Sequence, residues 1–170
     1  YLVIESATST SGNDLYLQDL SKANSELITI INNFDSDTHV IDNLGSKLYL
    51  VTNLNAPNKK VVTVNASNPK PKNWSDFIPE TENVLSPSTA GGYFFAEYMV
   101  DAVSKVLQYD FDGKLVREVK LPGVGSSGGF GGKTEAKDLY FSFTNYSTPG
   151  SLYKFNPKDG TYESYWKPAV

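Results

Sequence analysis

His39 is the only imidazole in the chain, and there is no cysteine. It stands in Thr38-His-Val-Ile-Asp42, with Asp35, Asp37 and Asp42 close by in sequence. Acid–base work or metal binding needs such a histidine together with an orienting carboxylate or further ligands. The Asp-x-Asp pattern here lacks the glycine and closing glutamate of a calcium loop. These aspartates are therefore expected to be turn formers and solvated charges, and His39 to line a water-filled channel. Absence of cysteine excludes disulfides, thiolate metal sites and cysteine nucleophiles. The chain has no Gly-x-Ser-x-Gly elbow, no P-loop, no dinucleotide fingerprint after a strand and no His-Glu-x-x-His. The stretch Gly123-Val-Gly-Ser-Ser-Gly-Gly-Phe-Gly-Gly132 precedes no helical pattern, so it reads as linkage and close packing rather than a phosphate cradle. The residues alone imply no catalytic set, no metal site and no cofactor.

The elements that carry these residues repeat. Four strand-like segments begin at residues 2, 48, 93 and 139, a period of about 46 residues. They read Leu2-Val-Ile-Glu-Ser-Ala, Leu48-Tyr-Leu-Val-Thr-Asn, Tyr93-Phe-Phe-Ala-Glu-Tyr and Leu139-Tyr-Phe-Ser-Phe-Thr. Each is rich in β-branched and aromatic residues, as strands are. A second strand begins at Asp14, Lys60, Lys105 and Ser151, in every case about 12 residues later, and most of these alternate with period two. A third strand is expected over residues 27–31, 74–78, 115–121 and 162–166. Before the last two stand Asp112-Gly113 and Asp159-Gly160, the signature of a tight antiparallel hairpin. A weaker strand precedes the first at residues 38–42, 84–88 and 127–131.

Four antiparallel strands per unit of this length is the plan of a β-propeller blade. The expected architecture is all-β. It is a partial propeller of about three and a half blades: an incomplete blade over residues 1–33 and blades over 34–80, 81–122 and 123–170. A chain that opens and ends within strand patterns is expected to be a piece of a longer one. Open apolar blade faces predict association of an isolated piece, for example as a dimer.

Composition narrows the function. The chain has 170 residues, 39% of them hydrophobic and 13% aromatic, which is globular. There are 15 Lys+Arg against 19 Asp+Glu, a formal net charge of -4, and no basic cluster that would mark a nucleic-acid partner. No apolar run approaches the roughly 20 residues of a membrane span. Lack of cysteine suits a cytoplasm or a bacterial periplasm equally. Asn65-Ala-Ser67, Asn73-Trp-Ser75 and Asn145-Tyr-Ser147 fit the N-glycosylation pattern, which arises often by chance in chains rich in Asn and Ser.

Two stretches carry a resemblance. Thr52-Asn-Leu-Asn-Ala-Pro-Asn-Lys-Lys60 and Phe143-Thr-Asn-Tyr-Ser-Thr-Pro-Gly-Ser-Leu-Tyr153 resemble the propeller of the prolyl oligopeptidase family of serine peptidases. Asn13-Asp-Leu-Tyr-Leu-Gln-Asp-Leu20 and Val40-Ile-Asp-Asn-Leu-Gly-Ser-Lys-Leu-Tyr-Leu-Val-Thr-Asn53 are similar to the same family in the same order. The resemblance implies part of a seven-bladed propeller that partners an α/β-hydrolase domain of the same parent chain. That domain would carry the Ser-Asp-His triad, so this chain would hold no catalytic residue. The parent would cleave short proline-containing peptides after proline, and the propeller would gate their entry. The family's arginine after the Pro-Asn turn faces the substrate cavity, and its place is taken here by Lys60. Lysine offers a point charge instead of a planar fork. Asn53 and Asn55 flank the same loop and are candidates to line the cavity. The competing readings are a scaffold or binding propeller without chemistry and a dipeptidyl-peptidase-type propeller. The first lacks the His and Trp-Asp signatures of the common scaffold repeat, and the second lacks a glutamate pair on a helical pattern.

Overall fold

The computed structural model describes residues 1–169; the last position of the expected final blade, residue 170, lies outside the described residues. Fifteen strands run through them in chain order: β1 (Leu2–Ser6), β2 (Asp14–Gln18), β3 (Ile28–Ile31), β4 (Thr38–Leu44), β5 (Lys47–Thr52), β6 (Lys60–Asn65), β7 (Ser75–Ile78), β8 (Leu85–Ala90), β9 (Tyr93–Val100), β10 (Val103–Tyr109), β11 (Leu115–Glu118), β12 (Ser126–Gly129), β13 (Leu139–Asn145), β14 (Thr148–Phe155) and β15 (Tyr162–Trp166). A short 3-10 turn spans Pro71–Asn73. Within each sheet, every strand pairs antiparallel with its sequence neighbour in a meander. The sheets are β1-β2-β3, β4-β5-β6-β7, β8-β9-β10-β11 and β12-β13-β14-β15. Three sheets thus have the four-stranded blade plan, and the first has three strands.

The chain divides into two compact units, Tyr1–Glu82 and the rest from Asn83 onward. In the first unit the two sheets share an aliphatic core of Leu15, Leu17, Ile30, Ile31, Leu48, Leu50, Val62 and Val64. In the second, the shared core is aromatic, built on Phe95, Phe130, Phe141, Phe143, Tyr153 and Phe155. Along β13, Leu139, Phe141 and Phe143 are buried while Tyr140, Ser142 and Thr144 are exposed, the alternation of a strand with one face on a core.

The last third strand, β15, spans the expected residues; β3 and β7 each begin one residue later than expected, β11 ends early at Glu118, and the fourth-type strand β8 runs on to Ala90. Strand ends follow the paired ladder, not residue type. The Asp-Gly turns join antiparallel neighbours as expected, but they are not two-residue hairpins. Residues 110–114 separate β10 from β11, because the Asp110 carboxylate accepts from the Asp112 and Lys114 amides and holds a wider turn. The glycine-rich stretch does form a strand, β12. It packs close to its neighbour: a Cβ on Gly125 would overlap the Thr144 carbonyl oxygen. Pro87 sits in β8, an edge strand paired only with β9, where a missing N–H is tolerated.

Candidate functional site

The loop between β5 and β6 is held at both ends and within. At its start, the Thr38 and Thr52 hydroxyls are both buried and lie 2.7 Å apart. Next to them, the Asp37 amide donates to Asn53 Oδ1 at 2.7 Å, and Asn53 Nδ2 donates to Asp37 Oδ2 at 3.1 Å. The Asn53 amide also donates to the Asp37 carbonyl at 3.2 Å. At the far end, the Asn58 amide donates to Glu80 Oε1, and its side chain donates to the Thr81 and Glu82 carbonyls. Inside the loop, the Ala56 amide donates to the Asn53 carbonyl and the Lys59 amide to the Ala56 carbonyl. Asn55 and Lys59 have φ of 52 and 67, the left-handed conformation that tight turns demand and that asparagine tolerates.

These contacts sort the three candidates. Lys60 opens β6, and its ammonium donates to Asp76 Oδ1 at 2.8 Å. Asn55 is exposed on the turn. Both functional atoms of the Asn53 side chain are taken by Asp37, so Asn53 shapes the loop. Asp37 is therefore no solvated turn former. It is partly buried, and its other oxygen accepts from the Gly12 amide at 2.8 Å. Gly12 has φ of 78, and a Cβ there would overlap the Phe34 carbonyl oxygen. Only glycine permits that approach. Asn13 completes the junction, accepting from the Thr38 amide and donating to its carbonyl. Asp37 and Asn58 were hidden in the sequence, since their partners lie 16 to 25 residues away.

His39 is exposed, and its Nδ1 lies 2.9 Å from Glu5 Oε2. Beside that pair is a shallow hollow of about 260 Å³ walled by Ser9, Thr10, Gly12 and Asp37. In the second unit, Glu97 Oε1 accepts from the Ser104 and Ser127 hydroxyls, both at 3.0 Å. Among the described residues no cluster of His, Cys, Asp and Glu could hold a metal ion. Among them, too, no helix is long and apolar enough to cross a membrane.

Successive antiparallel meander sheets, paired on shared cores and tied at their loop ends within each unit, define the β-propeller class. Residues 1–168 match the family described as prolyl oligopeptidase, N-terminal β-propeller domain; the chain belongs to that family. It is 51% identical over its whole length to a prolyl endopeptidase of Elizabethkingia meningoseptica and 49% identical to one of Elizabethkingia miricola. It spans 24% of the length of each. A solved prolyl endopeptidase superposes with a TM-score of 0.86 at 28% identity, over 97% of this chain and 24% of that one. Prolyl oligopeptidase B from Galerina marginata, bound to a 25mer macrocyclization substrate, superposes with a TM-score of 0.84 at 25% identity over 98% of this chain and 24% of that one.

Proposed function

We propose that this chain is the substrate-gating propeller portion of a serine endopeptidase that cleaves short peptides after proline. Its blades would be residues 34–80, 81–122 and 123–170 of a seven-bladed ring, with 1–33 as part of another. The parent's α/β-hydrolase domain supplies the nucleophile, base and orienting acid. The observation that carries the reading is the β5–β6 loop: its backbone is fixed at both ends, Asn55 is exposed on its turn, and the Lys60 ammonium, held by one bond to Asp76, keeps two further N–H donors for a peptide. A fixed donor pair can orient a substrate backbone without further ordering cost at the moment of binding. Asn53 acts here as support.

The test uses the full-length protein. A chromogenic Gly-Pro substrate is hydrolysed, and an active-site organophosphate labels a serine outside these 170 residues. Lys60→Ala raises KM for a peptide of about ten residues more than for the dipeptide-sized substrate, as removal of uniform binding does. No hydrolysis, or a label on a serine of this chain, sinks the assignment; equal effects on both lengths sink the role of Lys60. The isolated piece hydrolyses nothing. It dimerises through exposed sheet faces such as the one bearing Tyr140, Leu152, Tyr165 and Trp166, which a monodisperse monomer in sedimentation would disprove.

A further inference from the structure

We infer that Asp37 is a positioning residue for the β5–β6 loop, and that its reciprocal bonding with Asn53 sets how longer peptides are read; this rests on the gating role proposed above. The Asp37 carboxylate joins two loops. Oδ1 accepts from Gly12 in the β1–β2 connection, and Oδ2 accepts from Asn53 at the start of the β5–β6 loop. The Asp37 amide donates to Asn53 Oδ1, closing a two-way pair. From Asn53 the hydrogen bonds run through Ala56 to Lys59, the residue before Lys60. Displacing Asn53 therefore moves the turn bearing Asn55 and the backbone from which Lys60 projects. The neighbouring Thr38–Thr52 and Asn13–Thr38 bonds tie strand ends together and do not depend on the Asp37 side chain. Fold and loop position can thus be separated.

The donor pattern makes a sharp test in the full-length protein. Asp37→Asn faces one N–H against another whichever way the new amide turns, because Gly12 and Asn53 both donate to it. Asn53→Asp sets two carboxylates against each other. The double swap of Asp37→Asn with Asn53→Asp restores every bond. The new amide at position 37 accepts from Gly12 through its oxygen and donates through its nitrogen to the new carboxylate at position 53. That carboxylate also accepts the backbone amide of position 37. Each single change is expected to raise KM for a proline peptide of about ten residues by about tenfold, and the swap to return it to within about twofold. In Asp37→Asn the chromogenic Gly-Pro substrate keeps its kcat and KM. Amide exchange at residues 53–56 rises in the singles and returns in the swap. If Asp37→Asn fails to fold, Asn53→Ala carries the same comparison, since the hydroxyl and Asn13 bonds remain. Singles that lower the melting temperature but leave the ratio of long-peptide to short-peptide KM unchanged overturn the inference. So does a swap that restores stability without restoring that ratio. A wild-type protein that cleaves neither peptide overturns the gating role itself, and with it the substrate part of this inference.

Discussion

The two units solve the same junction differently. In each, a strand-joining turn lies beside the first strand of the following sheet. In the first unit that turn spans residues 7–13 between β1 and β2. It is tied down by side chains: Asn13 brackets the Thr38 backbone, and Asp37 takes the Gly12 amide. In the second unit, β9 and β10 are joined by Asp101 and Ala102 alone, with φ of 49 and 63. The neighbouring contact is smaller: the Ser127 amide donates to Ser104 Oγ at 2.9 Å, and the Ser104 amide donates to the Gly125 carbonyl. A two-residue turn with positive φ is rigid through its own geometry. A seven-residue connection is not, and needs an external clasp. The clasp in turn fixes the conformation of the long connection through residues other than those exposed on it.

The cores differ in kind as well. Phe130 stacks on Phe141 at 4.8 Å and 9°, stacks on Phe95 at 5.2 Å and 22°, and meets Phe155 edge-on at 5.5 Å. The first unit spreads its burial over branched aliphatic side chains. Phe130→Ala is expected to destabilise the second unit by about 3–5 kcal/mol, with the ring contacts adding to lost burial. Leu50→Ala in the first unit, a change with no ring stacking to lose, is expected to cost less, within about 2–5 kcal/mol. Hydrogen exchange under rising urea reads the two units separately. Equal costs would mean that the aromatic cluster contributes no more than ordinary burial.

The second unit also buries phenols. Burial pushes Tyr98 up to about 12, with Tyr109 as a lesser cause, and burial raises Tyr109 too. An unfolded tyrosine ionises near 10.0. Between these values the unfolded chain loses a proton that folded Tyr98 keeps. The stabilisation is complete below about pH 10 and is lost as pH rises toward about 12, with a slope of at most ~1.4 kcal/mol per pH unit for one proton. Tyr98→Phe is expected to flatten that slope in alkaline unfolding of the second unit. An unchanged slope would place the proton elsewhere.

Much of the framework was readable from residue order. Leu48-Tyr-Leu-Val and Tyr93-Phe-Phe-Ala begin strands because β-branched and aromatic residues fit a pleated, packed surface, and their regular spacing repeats the blade. The Asp112-Gly113 and Asp159-Gly160 turns told which strands are neighbours; Gly113 and Gly160 indeed have φ of 85 and 78. What stayed hidden depends on long-range partners. Asp37 looked like one of three scattered acids, and nothing local distinguishes it from Asp35 or Asp42. Its role follows from Asn53, which the β4–β5 register brings near, and from Gly12, which the packing of two separate sheets on one core brings near. The positive-φ turn at Asp101 and Ala102 was illegible for another reason, since neither residue is the glycine that usually announces it.

That turn offers the next contrast. Ala102 has a Cβ in the left-handed region, a strain of roughly 1–2 kcal/mol. Glycine removes the strain but adds freedom to the unfolded chain. Ala102→Gly is therefore expected to stabilise the second unit by about 0.5–1 kcal/mol. Gly45, which already has φ of 58 in the β4–β5 turn of the first unit, gives the reverse: Gly45→Ala destabilises by a similar amount. Should Ala102→Gly destabilise, the turn is held by contacts of the alanine methyl and not by its own geometry.

The smallest effect separates clasp from charge in the first unit. Lys60 and Asp76 form an ion pair at 2.8 Å with side chains 23% and 55% exposed. Pairs with such access to water contribute about 0.2–1 kcal/mol and weaken with salt. A double-mutant cycle of Lys60→Met and Asp76→Asn is expected to return a coupling in that range, falling between low salt and about 0.5 M. Exchange at residues 53–56 should not change, because the amide pairing of Asp37 and Asn53, not the ion pair, fixes the loop. The pair then does one thing only: it aims the Lys60 ammonium. A coupling above about 2 kcal/mol, or faster exchange at residues 53–56 when the pair is removed, would make charge, and not the amide pairing, the fastener of that loop.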